Sequence, residues 1–389
     1  MPEPVIEAYT AALRTVGNPA STHGHGQAAS ELLEAARENI AAALGCDAAE
    51  TILTAGGTEA VNLALKGFYW ASVRARARAG AGTGAAGTTL LIAEGEHHAT
   101  IEAAEWLRDA QGARVRWLPI DAEGLLHADA LTEAIAQEGP QNVALLSFLW
   151  ANNEVGSVQR VAELAEIARA AGIPVHVDAV AALGQLPIDF RSAGVDALSV
   201  SAHKIGGPVG VGALVVDRST GIEPLLHGGS QQRARSGTQD VAGAVAFSAA
   251  IDLSCGEGFG ARVARLTALR DRLVEGVRAA VPDAVLRGAD PALPHTRLAG
   301  NAHFTFPGCQ GDSLVFLLDA AGISVSVGSA CRAGVAETSH VLLAMGLSEY
   351  EAAGALRFTL SPETRDDEVD ALLEALPAVV ARARKAGLS

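Results

Sequence analysis

The sequence predicts an α/β fold, in which a large domain with a mainly parallel sheet precedes a smaller α+β domain. Short β-branched apolar runs alternate with helical patterns through the first two-thirds of the chain. The runs are apolar throughout, which is typical of strands buried on both faces of a sheet. From about residue 256, a long amphipathic stretch leads into short strands and a closing helix. We therefore expect a large domain at residues 1–255 and a small domain at residues 256–389.

The order of the elements follows from the spacing of apolar residues. Apolar runs predict strands at Thr51–Thr54, Thr89–Ala93, Val143–Leu149, Ile173–Asp178, Val195–Ser201 and Val211–Val216. Apolar residues three and four apart predict helices at Ser30–Leu44, Thr58–Trp70, Thr100–Ala110, Val161–Ala171 and Val241–Leu253. The low-complexity stretch Arg74–Thr89 predicts a surface connection. In the small domain we expect a helix at 260–281 and strands at 301–306, 323–327 and 354–360.

The composition argues against two classes of partner. A formal charge of −15 and a pI near 5.2 disfavour nucleic acid, because an acidic surface repels phosphates. No charge-free apolar stretch is long enough for a membrane span, and the first residues lack the pattern of a secretion signal. We therefore expect a cytoplasmic protein that binds neither nucleic acid nor membrane.

The cysteines suggest free thiols, because none of them forms a C-x-x-C pair. We accordingly predict no metal site and no disulfide framework. Cys46, Cys255 and Cys309 are interpreted as small apolar residues. Cys331 differs, because it lies in the run SVGSACRAG, which is rich in small residues and places Arg332 beside the thiol. A neighbouring cation favours the thiolate, so Cys331 is a candidate nucleophile on an exposed, mobile loop.

Lys204 is a candidate cofactor-binding residue, because the basic residues of this chain are almost all arginine. Lysine alone has a primary amine that can condense with an aldehyde. The strand that ends at Ser201 leads to His203 and Lys204. This placement favours an aldehyde cofactor on Lys204 with its phosphate near Ser201 and His203. A solvated loop lysine is the alternative.

Four further candidates follow predicted strand ends. Gly57 and Thr58 open a helix, whose free N–H groups form an anion-binding cup, although a simple helix cap has the same pattern. Asp178 ends a strongly apolar strand, where a protonated pyridine nitrogen is a suitable partner and a helix cap is the alternative. His97 is placed to stack on a planar ring, and Asn153 to donate a hydrogen bond to a ring or substrate oxygen. Each of these two, taken singly, also fits a loop residue.

Longer blocks of the chain match one family. They are TAGGTEAVNLAL, EHHATIEA, ANNEVGSVQ, HVDAVAALGQLPIDF, SAHKIGGPVGVGAL, RSGT and SVGSACRAGVAETSHVL. These blocks resemble those of cysteine desulfurases, the class V branch of fold-type I pyridoxal 5'-phosphate (PLP) enzymes, and they span nearly the whole chain. The resemblance implies PLP-dependent removal of sulfur from L-cysteine, which gives L-alanine and an enzyme persulfide.

The resemblance also implies roles for individual residues. Lys204 bonds the cofactor and then moves the substrate Cα proton, and Asp178 pairs with the pyridine nitrogen. His97 stacks on the ring and, as a catalytic residue, shuttles protons. The phosphate is held by Gly57, Thr58, Ser201, His203 and, from a partner subunit, Thr238. Asn153, near the cofactor, and Arg357 bind the substrate carboxylate, and Cys331 takes the sulfur. A homodimer is implied, as is a sulfur-acceptor protein, either an iron–sulfur scaffold or a tRNA-thiolation protein.

The match departs from the family at Ala181, where a glutamine usually bonds the ring hydroxyl of the cofactor. This change predicts altered protonation of the bound cofactor. The family's short opening strand is also unmatched, since the sequence begins with MPEPVIEAY. Three alternatives are a selenocysteine lyase, a class V aminotransferase that needs Lys204 but not Cys331, and a degenerate desulfurase-like protein with weak activity and a binding role.

Overall fold

One sheet of seven strands organises the first part of the chain in the computed structural model, which describes residues 1–78, 88–293, 295–328 and 338–386. The strands are β1 (Thr51–Thr54), β2 (Thr89–Ala93), β3 (Arg114–Leu118), β4 (Val143–Leu149), β5 (Val175–Asp178), β6 (Ala197–Ser201) and β7 (Gly212–Val216). Their order is β1-β7-β6-β5-β4-β2-β3. Neighbours from β6 to β3 are parallel, whereas β7 is antiparallel to both β6 and β1. The predicted α/β class with a mainly parallel sheet is confirmed.

Helices accompany this sheet. They are α1 (Glu3–Ala12), α2 (Gly24–Leu44), α3 (Gly57–Arg78), α4 (His98–Gln111), α5 (Ala128–Glu138), α6 (Val161–Ala170), α7 (Phe190–Ala193) and α8 (Val241–Cys255). Apolar residues of α3 and α4 pack with those of the strands in one buried cluster. α4 ends where Gly112 adopts a left-handed conformation (φ 73°), which glycine tolerates without strain.

A second compact unit contains the antiparallel sheet β10-β9-β8. Its elements are α9 (Phe259–Ala280), β8 (Val285–Arg287), β9 (Asn301–Thr305), α10 (Gly311–Asp319), α11 (His340–Ala344), α12 (Glu349–Ala353), β10 (Ala355–Thr359) and α13 (Asp366–Ala386). On β9, Ala302 and Phe304 pack into an apolar core with α9, α10 and α13. Because side chains alternate along a strand, Asn301, His303 and Thr305 occupy the opposite face.

The chain divides between the two units in several segments. The first comprises Met1–Leu118, Ala128–Trp150 and Arg160–Phe259, and the second comprises Pro119–His127, Ala151–Gln159 and Gly260–Ser389. Two short loops from the first part of the chain therefore belong to the second unit, which the sequence did not indicate. The domain boundary expected after residue 255 stays a prediction.

Some predicted elements need correction. The strand expected at 323–327 is reduced to one isolated bridge between Ser326 and Arg357. Helix α3 continues to Arg78, because alanine and arginine favour helix, so the surface connection does not begin at Arg74. Strand β3 was not predicted, although its alternating charged and apolar residues are typical of a half-buried strand at the edge of a sheet. In the described part of the chain, no helix combines the length and the apolar character needed to cross a membrane.

Candidate active site

The candidate residues of the first unit meet at one edge of its sheet. β6, β5, β4 and β2 are consecutive parallel neighbours, so their carboxyl ends lie side by side. Asp178 ends β5, Ser201 ends β6, and His97 follows β2. The sequence-based expectation that these residues follow neighbouring strand ends agrees with this topology.

Asp178 is a buried carboxyl at this edge, with 4 % of its surface exposed. Burial raises the pKa of Asp178 to about 6, while the Val180 backbone N–H and the Lys204 charge oppose the rise. The Val180 N–H donates to Asp178 Oδ1 at 2.9 Å. This local bond closes a turn and does not cap a helix, since residues 179–185 are not helical. The carboxylate is therefore costly here unless a cation lies near it.

Lys204 supplies a positive charge at the same edge. It lies on a short 3-10 helix, Ala202–Ile205, which directly follows β6. The side chain is exposed, and its charge lowers the pKa values of both Asp178 and His203. Lys204 is therefore close enough to interact electrostatically with the buried carboxyl.

A cup of small and polar residues adjoins Lys204. Ser201 Oγ and His203 Nδ1 form a hydrogen bond of 2.8 Å. Partial burial, together with the Lys204 charge, lowers the pKa of His203 and favours its neutral form. A Cβ atom on Gly57 would come within 2.8 Å of Val180 Cγ2 and 3.4 Å of Ser201 Cβ, so the start of α3 closely approaches the ends of β5 and β6. Thr58, the next residue of α3, is exposed.

An ion pair that sequence reasoning missed supports this cup. Arg235 Nε donates to Glu59 Oε1 at 2.9 Å, and the other oxygen of Glu59 accepts the Ala55 N–H at 2.7 Å. The carboxylate of Glu59 thus holds the turn before α3 against the segment that follows β7. The partners are 176 residues apart, so the local spacing of residues does not predict this ion pair. Thr238 is an exposed residue of the same segment.

The turn between β2 and α4 carries His97 and also Glu96, a residue that the sequence analysis did not single out. His97 is the N-cap of α4, and its Nδ1 accepts the Ala99 N–H at 3.1 Å. Glu96 is 1 % exposed, and its Oε1 accepts the Leu149 N–H at 2.7 Å. Burial, followed by the negative charge of Asp178, raises the pKa of Glu96 to about 8.

In the second unit the structure brings Asn153 and Arg357 together. Arg357 Nη1 donates to the Asn153 carbonyl at 2.9 Å. The adjacent Glu154 is buried, its Oε2 accepts the Ser339 hydroxyl at 2.5 Å, and burial raises its pKa to about 7. Burial lowers the pKa of Arg357, and the Glu154 charge opposes this change. Cys331 lies outside the described residues.

Comparisons with known proteins identify the family of this chain. Residues 1–372 match the family described as aminotransferase class-V. The chain belongs to this family. An IscS-like cysteine desulfurase of Mycobacterium tuberculosis is 49 % identical over 385 residues, which cover 99 % of this chain and 94 % of that protein. Cysteine desulfurase IscS of Clostridium botulinum is 35 % identical over 385 residues, covering 99 % and 92 % respectively.

Solved structures of other proteins are also similar to this chain. One described as a NifS-like protein has a TM-score of 0.84 and 31 % identity, and the match covers 98 % of this chain and 96 % of that one. Another, described as SspA in complex with cysteine, has a TM-score of 0.76 and 29 % identity, with coverage of 94 % and 97 %. Within its family the chain therefore groups with the cysteine desulfurases.

Proposed function

We propose that this cysteine desulfurase uses PLP to remove sulfur from L-cysteine, releases L-alanine and holds the sulfur as a persulfide on Cys331. The observation that carries the proposal is the buried Asp178 carboxyl, which lies within the electrostatic reach of Lys204 at the carboxyl edge of the sheet. Enzymes of this family depend on PLP in general. A carboxylate buried next to an exposed lysine fits the ring nitrogen and the aldehyde of that cofactor. When bound, PLP supplies an electron sink for carbanionic charge on the substrate.

Residues around the start of α3 are suited to the cofactor phosphate. The backbone at Gly57 and Thr58 offers N–H groups of a helix N-terminus, where anions are stabilised. Ser201 and His203 are hydrogen-bonded to each other, which orients the hydroxyl and the ring. In the proposed homodimer, Thr238 of the partner adds a hydroxyl to this phosphate site.

The remaining residues of the first unit act on protons and on the ring. Asp178 holds the proton on the pyridine nitrogen, and His97 covers the ring. The Lys204 amine would hold the cofactor at its aldehyde and would accept the proton from the substrate Cα. A lysine amine at the sheet edge is suitable because it reaches both the aldehyde and this proton.

Residues of the second unit act on the substrate itself. Arg357 binds the L-cysteine carboxylate, for which a guanidinium provides two parallel N–H donors, and Asn153 assists it. The Cys331 thiolate attacks the substrate sulfur, so that an S–S bond forms as the Cβ–S bond breaks. The electron pair of the broken bond stays with the carbon fragment, and Cβ takes up a proton to give the methyl group of L-alanine. The persulfide passes to an acceptor, for which we propose an iron–sulfur scaffold or a tRNA-thiolation protein of the cytoplasm.

The test is incubation of the PLP-loaded protein with L-cysteine and a reductant, with L-alanine and sulfide measured together. We expect equal amounts of both products from the wild type and from Cys46→Ala, a matched control that removes a different thiol. Cys331→Ala should form neither product while retaining the absorbance of the lysine-bound cofactor. A class V aminotransferase would instead yield a 2-oxo acid and would tolerate Cys331→Ala, and this result would overturn the proposal.

A further inference from the structure

The polar face of the second unit's sheet carries buried groups to which the proposed mechanism assigns no role. His303 lies at the centre of β9, fully buried, and its register partners are Arg357 on β10 and Arg287 on β8. Within the described part of the chain, neither ring nitrogen of His303 has a hydrogen-bond partner, and the same holds for Arg357 Nε. Leaving such groups unsatisfied is costly, so the arrangement calls for an explanation.

Backbone geometry shows which of the two arginines lies closer to His303. Arg357 exchanges both backbone hydrogen bonds with Ser326, at 2.7 and 3.2 Å, on the edge of β10 away from β9. The N–H and C=O of one strand residue point to the same side, so Arg357 and His303 form a non-hydrogen-bonded pair. The side chains of such a pair are closer than those of a hydrogen-bonded pair. The side chain of His303 is therefore closer to that of Arg357 than to that of Arg287.

The other arginines around His303 have different partners. Arg287 Nε donates to Thr305 Oγ1 at 2.9 Å. The Arg297 guanidinium donates to the carbonyl oxygens of Ala289, at 2.9 Å, and Val155, at 2.7 Å, and also to that of Arg287. Arg357, in contrast, donates from Nη1 to the Asn153 carbonyl, and its Nε–H makes no hydrogen bond within the described residues.

The protonation state of His303 makes it an acceptor. Burial, together with the charges of Arg357, Arg297 and Arg287, lowers the pKa of His303 to about 3. A neutral imidazole has one ring nitrogen with a free lone pair, whereas an imidazolium has none. His303 thus offers an acceptor directly across from an unsatisfied N–H donor.

We propose that His303 is a positioning residue that fixes the guanidinium of Arg357 by accepting a hydrogen bond from its Nε–H through one bridging water. When Nε is held by His303 and one N–H of Nη1 by the Asn153 carbonyl, the plane of the guanidinium is fixed. The second N–H of Nη1 and an N–H of Nη2 then remain to bind a carboxylate end-on. The inference rests on the proposed role of Arg357 in binding the L-cysteine carboxylate. His303 itself touches neither substrate nor cofactor in this arrangement.

The test compares His303→Gln, which keeps an acceptor, with His303→Met, which has a similar length and lacks a strong one. Binding to the PLP-loaded protein is followed by the change in cofactor absorbance, for L-cysteine and for cysteamine, which has no carboxylate. We expect His303→Met to weaken L-cysteine binding roughly ten-fold, to leave cysteamine binding unchanged, and to raise KM more than it lowers kcat. His303→Gln should bind both compounds nearly as the wild type does.

A double-mutant cycle separates positioning from a structural role. If His303 acts through Arg357, then His303→Met should weaken L-cysteine binding much less in an Arg357→Lys background, because lysine has no Nε–H at that position. Wild-type L-cysteine binding by His303→Met, or an equal loss for cysteamine, would overturn the inference. Should His303→Met not fold, as judged by thermal unfolding, His303→Leu serves as the acceptor-free variant under the same criteria. Failure of the proposed function is distinguishable, because the wild type itself would then release no sulfide.

Discussion

The backbone N–H of Leu149 donates to the carboxyl Oε1 of Glu96 across 2.7 Å, and so joins the turn after β2 to the end of β4. Leu149 is the register partner of Asp178 on β5. A second buried carboxyl therefore lies one strand away from the carboxylate proposed to bind the pyridine nitrogen. Because burial and the Asp178 charge raise the pKa of Glu96 to about 8, Glu96 is mainly protonated at neutral pH.

Replacing Glu96 with glutamine should stabilise the apo-protein as the pH rises. The folded-state pKa of Glu96 lies above its ordinary value of 4.5, so the wild type loses stability as the pH increases from about 5 through about 8. Glutamine keeps an acceptor for the Leu149 N–H and does not ionise. Urea unfolding at pH 5, 7 and 9 should show a gap in favour of Glu96→Gln that widens with pH.

Glu96→Ala is the matched control, because it removes the acceptor. It leaves the buried Leu149 N–H unsatisfied and should cost about 1–3 kcal/mol. A difference between the wild type and Glu96→Gln that did not change with pH would contradict the raised pKa.

Asp178→Asn should stabilise the apo-protein at pH 8 and yet weaken its binding of the cofactor. Burial raises the pKa of Asp178 from 3.8 to about 6. By linkage, the wild-type apo-protein is therefore destabilised above pH 6 by on the order of 3 kcal/mol relative to a neutral side chain. The thermal midpoint of apo Asp178→Asn should accordingly exceed that of the wild type at pH 8 and match it near pH 4.

The same variant should bind PLP more weakly, because asparagine cannot hold a proton on the pyridine nitrogen by charge. PLP affinity is measured from the cofactor absorbance at pH 8. Tighter or equal PLP binding by Asp178→Asn would argue against the proposed partner of this carboxyl.

The sequence predicted the sheet and the candidate residues at the carboxyl ends of its strands because both depend on local patterns. Buried parallel strands are continuous apolar runs, and polar residues such as Asp178 directly follow them. Glu96 escaped notice because an acidic residue in a turn is ordinarily solvated, and nothing local indicates its 1 % exposure. The bond between Arg357 and Asn153 joins residues 204 positions apart. Such pairs arise only from the tertiary path of the chain, as does the assignment of the 151–159 loop to the second unit.

Thiol-labelling should distinguish Cys331 from two cysteines whose pKa is raised, the half-buried Cys46 and the buried Cys309. Burial raises the pKa of Cys46 to about 11 and also raises the pKa of Cys309. At pH 8, only about one Cys46 in a thousand is therefore a thiolate, the form that reacts with iodoacetamide. Mass spectrometry of the native protein after brief labelling should find Cys331 modified well before Cys46 or Cys309. Faster labelling of Cys46 than of Cys331 would contradict both the raised pKa of Cys46 and the proposed nucleophile.

His176 should be essential to stability because it links two buried serines across the sheet. Its Nδ1 is 2.8 Å from Ser147 Oγ on β4, and its Nε2 is 2.6 Å from Ser199 Oγ on β6. All three side chains are fully buried, and burial lowers the pKa of His176 to about 3, so the ring is neutral. A neutral imidazole has one donor and one acceptor, which match one serine hydroxyl each.

His176→Leu should therefore destabilise the protein by roughly 1–3 kcal/mol for each serine hydroxyl that is left without a partner. The triple variant Ser147→Ala, His176→Leu, Ser199→Ala removes those hydroxyls and should recover much of the loss in urea unfolding, because an apolar row leaves no polar group unsatisfied. If the triple variant were less stable than His176→Leu, the packing of the ring rather than its two hydrogen bonds would account for the loss.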